Sequence, residues 1–355
     1  MQRYLLVRKV DIHIQLMKFN FKICYILLLF LFACTKQNST IQQTSSSSNF
    51  AKGADVSWLT QMEASGFKFY DANGVQQDCF QLLKSLGFNS IRLRVFVNPA
   101  NGWCNTADLV AKSIRAKNAG MRIMIDFHYS DVWADPDHQK IPAAWSGQNI
   151  LALDSSVFNH TQSVLSILKT NNITPTWVQI GNETNDGMLW ETGRASTNMA
   201  NFASLINSGY NAVKSIDTNI KVIVHISNGF DNTLFRWVFD GLKSNEAKWD
   251  IIGMSLYPST TNWQTYNTQC VANINDMVLR YGKPVMICEV GMDVNSPAIC
   301  YSFLTDLISK VKSVPTDNGL GVFYWEPQCY NWQGYTLGAF DSIGKPTVAL
   351  NAFSK

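Results

Sequence analysis

From Phe50 onward the chain repeats one alternation eight times: a short apolar run rich in β-branched residues, then a longer amphipathic stretch. The runs occupy residues 51–57, 90–97, 121–128, 176–181, 220–226, 250–256, 284–289 and 320–325. Helical patterns fill the intervals at residues 76–86, 107–119, 157–169, 201–216, 271–281 and 298–311. A continuous apolar run suits a strand covered on both faces, as in a parallel sheet wrapped by helices. Eight such units predict a (β/α)8 TIM barrel, one domain over residues 50–355. An open doubly wound sheet is the alternative, but no glycine-rich phosphate turn follows the first run. Gly87, Gly120 and Gly282 stand just past three helices, where a left-handed cap is wanted, and Thr106 is placed to cap the start of another.

The ends of the runs are chemically unequal. The first ends Ala54-Asp55-Val56-Ser57-Trp58, the third Asp126-Phe127-His128-Tyr129-Ser130-Asp131-Val132-Trp133, and the eighth Phe323-Tyr324-Trp325-Glu326-Pro327. The N-terminal ends are plain. In a barrel of this kind the loops after the strands carry the site. Two apolar runs end in a glutamate: Thr176-Trp177-Val178-Gln179-Ile180-Gly181-Asn182-Glu183 and Pro284-Val285-Met286-Ile287-Cys288-Glu289. One such Glu is most simply a strand cap or an arginine's partner. Two at one mouth are the working parts of a glycosidase. In Ile91-Arg92-Leu93-Arg94-Val95 the arginines share a face, and the aliphatics must meet the helices, so both guanidiniums point into the barrel. A buried arginine needs carboxylate partners, and Arg94, nearer the tip, is expected to reach a strand-end Glu. Asp126 and His128 share a face in the same way.

Composition narrows the partners. The formal charge is +3, but residues 1–34 contribute +4 of it, leaving −1 for the rest. A near-neutral body argues against nucleic acid. Eleven Trp and twelve Tyr supply aromatic faces suited to sugar rings. Met17-Lys18-Phe19-Asn20-Phe21-Lys22 is a basic start, followed by an apolar run from Ile23 to Ala33 and then Cys34. That run is too short for an ordinary transmembrane helix and reads as an export signal, with Met17 as a candidate start. Leu31-Phe32-Ala33-Cys34 resembles a bacterial lipobox, which makes Cys34 the expected lipidation site. Residues 1–34 are thus a signal peptide and residues 35–49 a Ser/Thr-rich tether. The expected location is the cell envelope, held by lipid at the outer membrane, and the lipid is the only membrane contact expected. No zinc-type Cys/His spacing appears. Cys288, inside an apolar run, reads as a packed thiol. Pairing among Cys79, Cys104, Cys270, Cys300 and Cys329 cannot be read from spacing.

The strand-one, strand-two (Arg92-Leu93-Arg94-Val95-Phe96-Val97-Asn98-Pro99) and strand-three motifs, with Gln179-Ile180-Gly181-Asn182-Glu183, resemble glycoside hydrolase family 53, the arabinogalactan endo-β-1,4-galactanases. Asp250-Ile251-Ile252-Gly253-Met254-Ser255-Leu256-Tyr257-Pro258 and the strand-eight motif extend the resemblance across residues 50–355. Cys288 before the second glutamate, Gly291-Met292-Asp293 after it and Phe96 depart from the family pattern. The resemblance implies Glu183 as general acid/base and Glu289 as nucleophile of a retaining mechanism. Arg94 and Tyr257 are then candidates to hold Glu289 ionised, and Asn182 to bond the sugar 2-hydroxyl. His128 and Trp325 shape the central sugar site, with Trp325 as its floor. Asp131 and Trp133 belong to the cleft wall, with Trp58, Trp103 and Trp145 as further candidates. The implied substrate is β-1,4-galactan or type I arabinogalactan, met by a monomer without cofactor. Some bacterial relatives carry calcium in a long loop after strand seven; the short segment here predicts no metal. Two other readings remain open. One is the same barrel acting on another β-linked polymer such as mannan or xylan; the other is a catalytically silent glycan-binding lipoprotein.

Overall fold

A computed structural model describes residues 49–354. The expected leader, Cys34 and nearly all of the tether lie outside the described residues. Eight parallel strands close into a barrel: β1 (Ala51–Asp55), β2 (Ser90–Val95), β3 (Arg122–Phe127), β4 (Trp177–Ile180), β5 (Lys221–Ile226), β6 (Ile251–Leu256), β7 (Val285–Val290) and β8 (Gly319–Trp325). Each pairs with its neighbours in sequence, and β1 closes the ring by pairing with both β2 and β8. The helices are α1 (Leu59–Ala64), α2 (Cys79–Ser85), α3 (Thr106–Asn118), α4 (Ile150–Thr170), α5 (Ala195–Ile216), α6 (Asn232–Ser244), α7 (Trp263–Tyr281) and α8 (Pro297–Lys312). This is the (β/α)8 architecture read from the alternation.

Strand boundaries agree with the sequence to within two residues, and helix starts differ more. Residues 76–77 open no helix. They form a two-residue antiparallel ribbon with Phe69–Tyr70, because Asp71 accepts the amides of Asn73 and Val75 and holds the turn between them. Helix α2 begins only where Asp78 accepts the Gln81 amide. The α3 cap is Asn105 rather than Thr106: its side chain accepts from the Asp108 N–H. Gly87, Gly120 and Gly282 do adopt positive φ. Helix α6, absent from the sequence reading, buries Phe235, Val238, Phe239 and Leu242 at helical spacing.

Packing divides into two layers, and the division positions the site. The outward residues of the strands meet the helices in one large core, Ile91, Leu93 and Val95 among them. Inside the barrel, Ala51, Met124, Trp177, Ile223, Ile251, Met286, Cys288 and Phe323 form a second, separate apolar cluster. It has room because Gly53 lacks a side chain: a Cβ there would sit 2.1 Å from the Phe323 ring. This plug seals the lower barrel, so the inward residues one pleat higher are the polar ones. Cys288 belongs to the plug, as the packed thiol expected; the described cysteines are all buried and unpaired.

Candidate active site

Alternation alone would put Cys288 and Glu289 on opposite faces of β7. The register shows otherwise. Met254 of β6 pairs with Ile287 but Ser255 pairs with Glu289, and β8 skips a β7 residue over the same stretch. This irregularity has the character of a β-bulge, which re-aims a side chain, and it turns Glu289 inward above the plug. On β4 the chain leaves the sheet through Gly181 at φ 79 and Glu183 at φ 44, and that turn brings Glu183 over the same mouth.

Both glutamates line a cleft of about 530 Å³ with Trp58, Trp133, Trp325 and Tyr335, and with Asp135, Asn182 and Tyr257. The aromatic rings pack edge to face, Trp58 at 5.1 Å from Trp325 and Trp325 at 4.6 Å from Tyr335. They present apolar wall around a polar base, the composition of a carbohydrate groove.

The base is organised by Arg92. Its guanidinium reaches Asp55 and Glu289 at 2.8 Å, Asp126 and the Asn182 Oδ1 at 2.9 Å, and the Gln179 Oε1 at 3.2 Å. Of the two candidates to hold Glu289, Arg94 does not reach it: the arginine that does is Arg92, and Arg94 meets a different strand-end glutamate. Asp55 pairs in register with both Arg92 and Trp325, and Val290 pairs with Tyr324, so Arg92 stands at the height of Glu289. Arg94 is one pleat higher and meets Glu326, just beyond β8, at 2.8 Å. Glu326 also accepts the Trp58 amide and Gln328. Arg94 lies 4.0 Å beneath the centre of the Trp133 ring, a cation–π contact that fixes the wall. Tyr257 behaves as expected, donating its hydroxyl to Glu289 at 2.9 Å.

Other expected residues move outward or downward. His128 does not line the cleft. Its Nδ1 accepts the Ala134 amide, so Nε2 carries the proton toward Asp126, and the ring supports Trp133 from below. Asp131 is no cleft wall: its carboxylate accepts the amides of Asn98 and Ala143 and ties two loops together. Trp145 packs against Tyr129 and His160, and Trp103 also stays out of the cleft. Asn182 lines the cleft while its amide is held by Arg92 and the Ala134 carbonyl. Arg92 was expected only to face inward toward carboxylates, and Glu326, Tyr335, His225 and Ser255 received no role from the sequence. For Arg92, His225 and Ser255 the signal was a polar residue at an inward position of an otherwise apolar run; Glu326 and Tyr335 lie in loops beyond β8 and carried no such signal. Among the described residues no group of His, Cys, Asp and Glu is arranged to hold a metal ion.

Burial dominates the electrostatics of the pair. It pushes Glu183 up to about 7, opposed by Ser255 and Arg92 and helped by Asp135 and Asp126. Burial raises Glu289 further, to about 8, opposed by Arg92 and reinforced by Glu183. Two carboxyls that feel each other this way share one proton near neutrality. Arg92 and Tyr257 both donate directly to Glu289 and favour its ionised form, whereas no cation touches Glu183.

A sealed barrel with two such carboxyls in an aromatic groove is equipped as a glycoside hydrolase. The comparisons specify which. The model for glycosyl hydrolase family 53 matches residues 51–353. An uncharacterized protein of Niallia circulans is 36% identical over 345 residues, 85% of this chain and 93% of that one. A probable arabinogalactan endo-β-1,4-galactanase A of Neosartorya fischeri is 35% identical over 298 residues, covering 78% and 83%. Among solved structures, a fungal β-1,4-galactanase superposes with a TM-score of 0.80 at 31% identity, covering 85% of this chain and 98% of that one. The chain belongs to glycosyl hydrolase family 53.

Proposed function

We propose that the protein is a retaining endo-β-1,4-galactanase, cleaving internal bonds of galactan and arabinogalactan, with Glu183 as acid/base and Glu289 as nucleophile. The observation that carries the roles is the unequal treatment of the two carboxyls. Glu289 has a guanidinium and a phenol bonded to it, and Glu183 has no direct cation. The activity named for the fungal relatives supports galactan as the substrate. In the first step Glu183 gives its proton to the glycosidic oxygen as Glu289 attacks the anomeric carbon, and the C–O bond to the leaving sugar breaks. Glu183, now a carboxylate, takes a proton from water, whose oxygen displaces Glu289 and restores both groups. Asn182 stands beside the acid with one amide hydrogen left for a sugar hydroxyl. We also place the mature protein in the cell envelope, tethered through Cys34, acting as a monomer.

A reducing-sugar assay on linear β-1,4-galactan, mannan and xylan tests the substrate: release is expected on galactan alone, and preference for either other polymer overturns the reading. Proton NMR of the first products is expected to show the β-anomer; α-anomer first would mean inversion. Glu183→Ala should lose the least activity on aryl galactosides with acidic leaving groups, which need little protonation. Equal losses on poor and good leaving groups would contradict the acid role.

A further inference from the structure

We infer that Ser255, held by a neutral His225, is the positioning residue that sets when Glu183 gives up its proton. The inference rests on Glu183 as the proton donor and adds how that donor is tuned.

The hydrogen bonds beneath Glu183 have a fixed direction. An arginine can only donate, so the Arg92 Nε contact of 3.2 Å identifies the Gln179 oxygen as Oε1. The amide nitrogen of Gln179 therefore faces Asp126, at 2.6 Å, and the Nδ1 of His225, at 2.9 Å. The Glu183 backbone N–H points at the same Nδ1 from 3.4 Å. With donors arriving there, Nδ1 is the unprotonated nitrogen and Nε2 bears the hydrogen. Nε2 lies 2.8 Å from the Ser255 Oγ and donates to it. With its oxygen taken in that way, the serine hydroxyl hydrogen is left for its remaining partner, the Glu183 carboxyl. The Asn182 Oδ1, 3.1 Å from Nδ1, also faces the Gln179 amide and adds no hydrogen of its own.

His225 is fully buried on β5, and burial beside Arg92 pushes its proton affinity well below the ordinary value, so it stays neutral. The direction of the chain is therefore insensitive to pH over the working range. The charged and titratable groups facing Glu183 are Arg92 from β2, Asp126 from β3, Asp135 from the loop after β3, Tyr257 beyond β6 and Glu289 from β7. None of them is a hydrogen-bond donor to the Glu183 carboxyl, and the Ser255 hydroxyl is the neutral group that favours its ionised form. A donor fixed on a carboxyl favours its ionised form. Burial alone would leave Glu183 too reluctant to release its proton, and the hydroxyl brings it back toward neutrality, where one group can serve as acid and then as base.

The test is the pH dependence of kcat/KM on linear galactan for the full chain. Ser255→Ala should move the alkaline limb upward by about one pH unit, the size expected for losing a hydrogen bond to a charged group. Ser255→Thr, which keeps the hydroxyl, should restore the wild-type limb. His225→Leu, which frees the hydroxyl to turn away, should shift it in the same direction as Ser255→Ala. Thermal melts identify a variant that is merely poorly folded, and the remaining arms then decide. An unmoved limb in both Ser255→Ala and His225→Leu overturns the relay. Glu183→Gln separates the two failures: if it is inactive on galactan, the donor role stands and only the relay is in question. If it remains active, the donor assignment has failed and the relay with it.

Discussion

Glu289→Ala is expected to lower kcat on galactan by on the order of 10⁴-fold or more, since no other carboxyl in the cleft has both a guanidinium and a phenol bonded to it. The melting temperature should stay within a few degrees of wild type. Arg92 keeps Asp55 and Asp126 when Glu289 goes, and the alanine sits at the cleft and not in the plug. Added azide provides the sharper check. It should occupy the space of the lost carboxylate, attack the anomeric carbon of an activated aryl β-galactoside and yield the α-glycosyl azide. A variant that keeps near-normal turnover, or is rescued to the β-azide, would remove Glu289 from the nucleophile's role.

Arg92→Leu is expected to cost both the fold and the chemistry. It leaves Asp55, Asp126 and Glu289, all at or near full burial, without their shared cation. Removing one partner of a buried charge network costs about 3–5 kcal/mol, which in a domain of this size lowers the melting temperature by on the order of 10 °C. The pH dependence has a definite sign. In the native protein Arg92 and His128 overcome burial and hold Asp126 below the ordinary carboxylate value. That contribution is present above the unfolded pKa and is lost as pH falls through the folded one. In the variant, burial acts unopposed by Arg92 and the folded carboxyls gain proton affinity, so stability is lost as pH rises past the unfolded value. The gap between the two proteins should therefore be widest near neutrality and close below about pH 4. Melts at several pH values that show a constant gap would mean that Arg92 contributes by packing alone.

The barrel was legible because its signal is repeated: a buried strand announces itself by an apolar run, and eight of them leave few architectures. The two glutamates were legible because each ended such a run. What escaped the sequence was height. Arg92 and Arg94 share a face by alternation, but which of them meets Glu289 depends on the stagger between β2, β1, β8 and β7, and stagger is a property of the closed ring. Glu289 itself shows the same limit, since it faces inward through a register irregularity that alternation cannot foresee. His128 and Asp131 were placed in the cleft because they stand at a strand's end. Whether such a residue faces the groove or ties the loop above it is decided by which backbone amides need an acceptor. His225 was hidden in plain view: a single polar residue inside an apolar strand has little to distinguish it until its neighbours are known.

Arg92 fastens its own strand to four others and also steadies the Glu289 carboxylate. Whatever pries those staves apart withdraws the cation from Glu289 at the same moment. Failure of the catalyst and loosening of its mouth are then one event, and no long interval of warming should find the protein intact but idle. Variation that widens or changes the diet of such an enzyme has room at the aromatic lip, where Trp325 and Tyr335 stand, and almost none beneath it.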